Sequence, residues 1–436
     1  MRDELKINNV VVCIVGLGYV GLPLARAFAE HCTVIGFDID KHKISCLSKQ
    51  STGSDRSNSG DSTLSTRLPS KLTLTSDPRQ MSQAEFIIIC VPTPVNKSKR
   101  PDLSYIKNAA KTVGQNMKRN SIIILESTVY PGVTEEIVEP ILEKESNLKC
   151  GKDFKIAYSP ERINPGDKKH TIDKITKVVS GIDEQTIKAV SELYQKIAPR
   201  IFVAKDIRTA EAAKVIENIQ RDLNIALVNE LSIIFGKMGL NTKDVLDAAK
   251  TKWNFHSYAP GLVGGHCIPV DPYYLVHRAN QLGYHPRVIL AGRATNNYMP
   301  KHIVDMAIRA LEDAKKVTEG SKVLIMGLTY KENVTDTRET PIKELVDGLK
   351  HHGIRIFGYD PGVNNIEDRF EIDSIHDLGD VRDIDCTIIA VAHDVFKDIS
   401  LDEMRRFMSD TSIMIDIKRI FDEEKAKERG FIYLSL

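Results

Sequence analysis

One segment near the N-terminus narrows the possible folds more than any other. Residues 10–15 (VVVCIV) form an unbroken apolar run, followed by Gly16-Leu17-Gly18-Tyr19-Val20-Gly21 and the helix-forming stretch LPLARAFAE. A short β-branched run of this kind reads as a strand buried on both faces. Glycines spaced G-x-G-x-x-G between strand and helix allow a tight turn, a close approach of backbone to a pyrophosphate, and close helix–strand packing. The helix N-terminus offers free N–H groups and a positive dipole end to the phosphates. A second apolar run, residues 33–37, ends in Asp38, about 20 residues beyond the glycines, where the ribose hydroxyls of a dinucleotide belong. A carboxylate there repels a 2′-phosphate, so the expected cofactor is NAD rather than NADP.

The strand rhythm continues through residues 86–91, 121–125 and 155–158, with amphipathic stretches between several of them, as in a doubly wound α/β domain. From Asp206 it breaks. Residues 209–236 hold no proline and no glycine before Gly236, and apolar side chains recur at Val215, Ile216, Ile219, Leu223, Ala226, Leu227 and Ile234, which predicts one long helix. Further helices run to about Lys316, and residues 322–326, 354–358, 386–391 and 413–416 restart the strands. The expected fold class is therefore α/β: two doubly wound Rossmann-like domains joined by a long central helix and a helical dimerisation region. The expected boundaries are 1–205, 206–316 and 317–436. Residues 51–67 are almost wholly polar and read as a surface loop.

Composition removes several function classes. A chain of 436 residues with 42% hydrophobic and 27% charged residues has the balance of a soluble globular protein with a sizeable core. A net charge of +1 argues against a nucleic-acid or membrane-surface binder. No run approaches the roughly 18 apolar residues of a membrane span, and the polar N-terminal residues show no signal peptide. Seven cysteines lie singly, with no CxxC pair, so neither a zinc site nor a disulfide framework is expected; a reducing cytosol fits best.

In open parallel sheets ligands bind beyond the carboxyl ends of the strands. Three segments leave strands there: Val91-Pro92-Thr93-Pro94, Glu126-Ser127-Thr128 and Ser159-Pro160-Glu161-Arg162. Turn chemistry alone explains any one of them; three on one sheet point to a lined crevice. On the long helix, Lys214 and Asn218 are four apart and share a face. Gly264-Gly265-His266-Cys267-Ile268-Pro269-Val270-Asp271 then combines a glycine pair, one cysteine and an acid. Cys267 sits at an irregular turn, unlike Cys90, which reads as core. A thiol beside a lysine ammonium ionises and acts as a nucleophile; the structural alternative is a small buried hydrophobe. His266 is left out of the chemistry, because neighbours on an extended turn point apart. The second α/β domain has Gly327 but not the second and third glycines, so it suits another phosphorylated ligand better than a dinucleotide.

Together these segments resemble the UDP-glucose/GDP-mannose dehydrogenase superfamily. The matching stretches are IVGLGYVGLPLA, FDID, VPTP, ESTVYPG, SPERINPGD, KVIENIQRDLNIALVNE, PGLVGGHCIPVDPYYL, GLTYKENVTDTRETP and YDP, in the family's order along the whole chain. GGHCIPVDP and KWNFHSYAPG resemble the UDP-N-acetylhexosamine 6-dehydrogenases, of glucosamine or its galacto epimer. UDP-glucose enzymes tend to have serine and lysine where His266 and Val270 stand. The resemblance implies an NAD-dependent four-electron oxidation of a sugar C6 alcohol to a carboxylate, in glycan precursor synthesis. Cys267 is then the nucleophile, Lys214 and Asn218 the oxyanion stabilisers, Asp271 with Thr128 the water-activating pair, and Glu161 an acid at the sugar. The implied cofactor contacts are Gly16, Gly18, Tyr19, Val20, Gly21, Asp38, Lys43, Thr93, Ser127, Thr128 and Arg338. Glu161, Arg162, Lys214, Asn218, Tyr258, Gly264, Lys331 and Lys418 would contact the substrate, with Arg419 the alternative to Lys418. A homodimer through the central helix and a UDP-binding C-terminal domain are implied as well.

The nearest rivals are the same chemistry on UDP-N-acetylmannosamine, UDP-glucose or GDP-mannose. A two-electron hydroxyacid dehydrogenase needs neither the cysteine nor a second α/β domain. A non-catalytic NAD-responsive protein has no reason to combine Cys267, Lys214 and Asp271.

Overall fold

The computed structural model describes residues 10–50, 68–162 and 170–436. The polar stretch 51–67 lies outside the described residues, as do residues 163–167 of SPERINPGD. The chain divides into two compact units: residues 1–217 with 273–284, and residues 218–272 with 285–436.

The first unit is built on eight strands: β1 (Val11–Val15), β2 (Thr33–Phe37), β3 (Leu72–Thr75), β4 (Phe86–Ile89), β5 (Ile122–Leu125), β6 (Lys155–Tyr158), β7 (Thr176–Gly181) and β8 (Arg200–Val203). Their order is 3-2-1-4-5-6-7-8, and only the β6–β7 pairing is antiparallel. The first six strands therefore have the doubly wound dinucleotide-binding order, whose switch point lies between β1 and β4. Helices α1 (Gly21–Ala29), α2 (Lys41–Gln50), α3 (Ser104–Asn116), α4 (Glu139–Ser146) and α5 (Glu184–Tyr194) belong to this unit. The central strands are apolar at every position because both faces are covered: Ile87, Ile88, Ile89 and Ile124 are fully buried.

Helix α6 (Ile207–Met238) is the long helix expected, running 32 residues. It begins in the first unit and ends in the second, which continues with α7 (Thr242–Ala249), the start of α8 (Asp271–Gln281), α9 (Arg287–Asp313) and α10 (Ile342–His351). A second sheet follows: β9 (Lys322–Met326), β10 (Arg355–Tyr359), β11 (Asp373–Ile375), β12 (Ile384–Ile389), β13 (Met408–Asp416) and β14 (Phe431–Leu434). It is parallel throughout, in the order 11-10-9-12-13-14, the same winding as the first six strands of the other sheet. Along β9, Val323 and Ile325 enter one core with Ile303 and Val346, while Leu324 and Met326 enter the opposite one with Phe396 and Met414. Among the described residues no helix is long and apolar enough to cross a membrane.

Candidate active site

In the first unit the glycine turn is shaped by sterics. Gly16 has φ +96°, and a Cβ there would stand 2.8 Å from the Cys90 carbonyl oxygen; one on Gly21 would collide with the Gly16 carbonyl. Beside Gly18 a Cβ would meet nothing within 4 Å. First and third glycines are thus demanded by the fold, while the second faces open space, as a turn fitted to a pyrophosphate requires. Tyr19 is exposed and Val20 half-buried at the start of α1.

Asp38, at the end of β2, is buried. Its Oδ2 accepts from the Leu17 N–H at 3.0 Å and from the Lys43 ammonium at 2.8 Å, and its Oδ1 accepts from the Asp40 N–H at 3.0 Å. Burial raises this carboxyl, but the Lys43 bond and the two backbone donors outweigh it and hold it below the usual range. One lone-pair direction remains on Oδ1 for a ribose hydroxyl. The second sheet repeats the device: Asp360 accepts from the Leu328 N–H at 2.7 Å, after Gly327 with φ +86°. There the further partner is His393, 3.2 Å away, rather than a lysine.

The strand ends converge as expected. Ser127 donates from its hydroxyl to the Val91 carbonyl at 2.7 Å, tying the segment before Thr128 to the loop that carries Thr93. Glu161 is buried, and its Oε2 lies 3.8 Å from the Lys214 ammonium, itself only 6% exposed. Arg162 points elsewhere: its Nε donates to Glu217 at 3.0 Å and its Nη1 to the Thr176 carbonyl at 3.0 Å. A structural role thus engages a side chain expected at the substrate.

In the second unit, Cys267 is exposed one turn ahead of α8, and its carbonyl accepts from the Val270 and Asp271 N–H groups at 3.1 and 2.9 Å. Asp271 is 3% exposed and accepts from the Asn218 amide at 2.5 Å. The glycine pair makes room for this chain itself: a Cβ on Gly264 would lie 2.9 Å from the Glu339 carbonyl oxygen, and one on Gly265, with φ +89°, 2.7 Å from the Tyr330 ring. The Gly265 N–H also donates to the Glu339 carbonyl at 3.0 Å. The cysteine loop is therefore pinned to the segment carrying Lys331 and Arg338. In that segment Thr329 donates to the Lys331 carbonyl at 2.8 Å, and Arg338 grips Asp336 through Nε and Nη2 at 2.9 and 2.8 Å. Lys418 is exposed, with its ammonium over Gly261. Arg419 is bound to Asn241 and to the Leu436 carbonyl, so the two bases differ in availability. Tyr258 lines a cavity of about 290 Å³ with Lys243, Phe255, Pro260 and Arg419.

Three parts of the site were not read from the sequence. Glu211, fully buried, accepts from the Gly132 and Thr134 N–H groups at 2.5 and 2.9 Å and holds the turn after Thr128. Asn229 clamps Gly261 by both its N–H and its carbonyl, at 2.7 and 3.0 Å. Lys177, Glu126 and Tyr194 form a buried cluster. The legible signal for the last was a lysine inside the run TKVVSG.

Comparison with known proteins decides the family. Its NAD binding domain matches residues 10–198, its central domain 208–298 and its UDP binding domain 324–423. The chain belongs to the UDP-glucose/GDP-mannose dehydrogenase family. Within that family it is similar to a UDP-N-acetyl-D-glucosamine 6-dehydrogenase of Pseudomonas aeruginosa, 44% identical over 97% of this chain and 100% of the relative. Another of that name, from Salmonella typhi, is 43% identical over 97% of this chain and 99% of its own length. A solved UDP-D-ManNAc dehydrogenase from Pyrococcus horikoshii superposes with a TM-score of 0.85 at 30% identity, covering 98% of each chain. The chain is thus an NAD-dependent oxidoreductase of this dehydrogenase family, with a UDP-sugar as substrate. The glycine turn and Asp38 fit the cofactor that membership implies.

Proposed function

We propose that this dehydrogenase oxidises the C6 hydroxyl of UDP-N-acetylglucosamine, or its galacto epimer, to the uronic acid for surface glycan precursors. The choice of sugar rests on 43–44% identity to enzymes named for N-acetylglucosamine, against 30–32% to those named for N-acetylmannosamine. The observation that carries the chemistry is Cys267 exposed at a turn, with buried Asp271 one turn on and bonded to Asn218. Bound NAD supplies the hydride acceptor, twice per sugar, and one water is consumed. Gly16, Gly18, Gly21 and Asp38 would hold the cofactor, with Tyr19, Val20, Lys43, Thr93, Ser127, Thr128 and Arg338 in attendance.

Cys267 adds to the C6 aldehyde to give a thiohemiacetal, loss of the second hydride turns this adduct into a thioester, and water cleaves the thioester to release the acid and the thiol, so that no free aldehyde escapes. Lys214 and Asn218 stabilise the oxyanion. Asp271, buried and acceptor-only when ionised, orients the hydrolytic water with Thr128, and Glu161 serves the sugar. Lys331, Tyr258, Gly264 and Lys418 lie on the substrate side; Lys418 is preferred to Arg419 because the latter is spent on Asn241 and Leu436. Residues 1–205 take the cofactor, 206–316 join subunits and 317–436 take the UDP moiety, in a cytoplasmic dimer.

The test is kcat/KM for NADH formation with UDP-N-acetylglucosamine, UDP-N-acetylgalactosamine, UDP-N-acetylmannosamine, UDP-glucose and GDP-mannose. One of the first two should be best by at least tenfold. A higher value for any of the other three overturns the assignment of the sugar.

A further inference from the structure

The first unit buries two charges where an apolar core would be expected. Lys177, the second residue of β7, and Glu126, the residue after β5, have side chains 2% and 1% exposed and form an ion pair. Tyr194, at the end of α5 and fully buried, donates to the second Glu126 oxygen at 2.6 Å, and the ammonium lies 5.0 Å from the centre of its ring. The same ammonium donates to the Pro160 carbonyl at 2.8 Å. Desolvating both ions offsets most of their attraction, and apolar residues of equal volume serve stability as well or better. Folding alone therefore does not account for the cluster.

Its neighbours along the chain do. The β5–β6 ladder ends at Leu125 and Tyr158, with one more bond from the Ser159 N–H to the Leu125 carbonyl at 3.1 Å. Past that bond one chain runs on to Ser127 and Thr128, the other to Pro160 and Glu161. Glu126 is on the first branch, Pro160 on the second, and Lys177 reaches both from β7. We infer that Glu126, Lys177 and Tyr194 are positioning residues that fix the carboxyl ends of β5 and β6 against each other and so hold Thr128 and Glu161 in register for the oxidation. The inference rests on the roles proposed above for Thr128 and Glu161. None of the three bonds engages Gly16, Gly18 or Asp38, and of the residues assigned to the cofactor only Ser127 and Thr128 lie on the branches that the cluster fixes, so cofactor binding should change far less than turnover.

Two variants and two readouts test it. E126L/K177M/Y194F replaces the cluster by apolar groups of similar volume. It should fold with a thermal midpoint near the native one, and its NAD dissociation constant should stay within about threefold of native. Its kcat should fall on the order of 10²-fold, the effect of misplacing groups by an ångström. A folded triple variant with native kcat overturns the inference. If the triple variant does not fold, Y194F decides, since it removes only the Tyr194 hydroxyl and keeps the ion pair: kcat should fall about three- to tenfold with NAD affinity within about threefold of native. Native kcat, or an equal loss of NAD affinity, overturns the inference. Hydrogen exchange does not depend on the substrate assignment. The Ser127, Thr128, Glu161 and Arg162 amides should exchange faster in Y194F, and those of residues 16–21 should not; unchanged exchange at the first four also overturns it. If the native enzyme yields no NADH with any sugar, the proposed function fails and the exchange result alone judges the cluster.

Discussion

Asp38 and Lys43 act as one unit at the cofactor end. With the ammonium on Oδ2 and one direction free on Oδ1, the pair presents a net acceptor to a ribose hydroxyl. Removing the carboxylate leaves the lysine, a cation that suits a 2′-phosphate. Asp38→Ala should therefore weaken NAD and narrow the NAD-to-NADP ratio of kcat/KM at least tenfold, as comparative kinetics would read; a native preference for NADP contradicts the assignment. Glu211 carries a different expectation. Burial pushes its carboxyl up to about 7, against the hydrogen bonds from Thr134 and Gly132, which favour the charged form. A value raised in the fold means that the native state takes up the proton more readily. The stability this confers is complete below the unfolded value of 4.5 and is lost as pH climbs through about 7. The full effect is roughly 3 kcal/mol. In urea unfolding, native protein should exceed Glu211→Gln by more at pH 5 than at pH 8, since the amide does not titrate; an equal gap at both pH values refutes the raised value. Legibility differs between these residues for a physical reason. Asp38 follows a strand at a spacing set by the ligand, so the chain displays it. Glu211 and Lys177 act through partners 77 and 51 residues away, and no local pattern marks such pairs.

Among the elements, long and uniform patterns were readable and short edges were not. Helix α6 follows from uninterrupted helical periodicity, and the central strands from runs apolar on both faces. β3 has only four residues, alternating Leu and Thr, because it closes the sheet edge. β8 carries exposed Phe202 and Val203 at the opposite edge. β7 was missed because Lys177 interrupts its apolar run. The glycine pair before Cys267 was legible as a close approach, but the partner is the segment 330–341 of the same chain. Gly265→Ala should cost about 2 kcal/mol or more from the positive φ and the contact with Tyr330. Because that loop carries Cys267, differential scanning calorimetry should show a lower Tm and assays a lower kcat, with NAD affinity kept. A variant of native Tm and kcat would show that the loop has slack.

At the scale of the whole molecule, α6 displays an apolar stripe without cover in the monomer. Ile216, Leu227, Ile234 and Met238 fall on one side of the helix and are 54%, 55%, 44% and 64% exposed. In the proposed dimer, pairing through that stripe would be isologous, so one substitution would act twice across the two-fold. Sedimentation should give a dimer for the native protein and a monomer, or a much weaker dimer, for Leu227→Glu; a native monomer contradicts the proposed assembly. The two sheets of matching winding, the glycine turn and the cysteine loop serve one claim, that the sugar is carried from alcohol to acid on Cys267. Acid formation by Cys267→Ala, followed by mass spectrometry of the nucleotide sugar, tests it most directly. The account predicts native NAD affinity and uronic acid formed slower by about 10⁴-fold or more. Uronic acid appearing at close to the native rate would contradict it and leave Cys267 a packing residue.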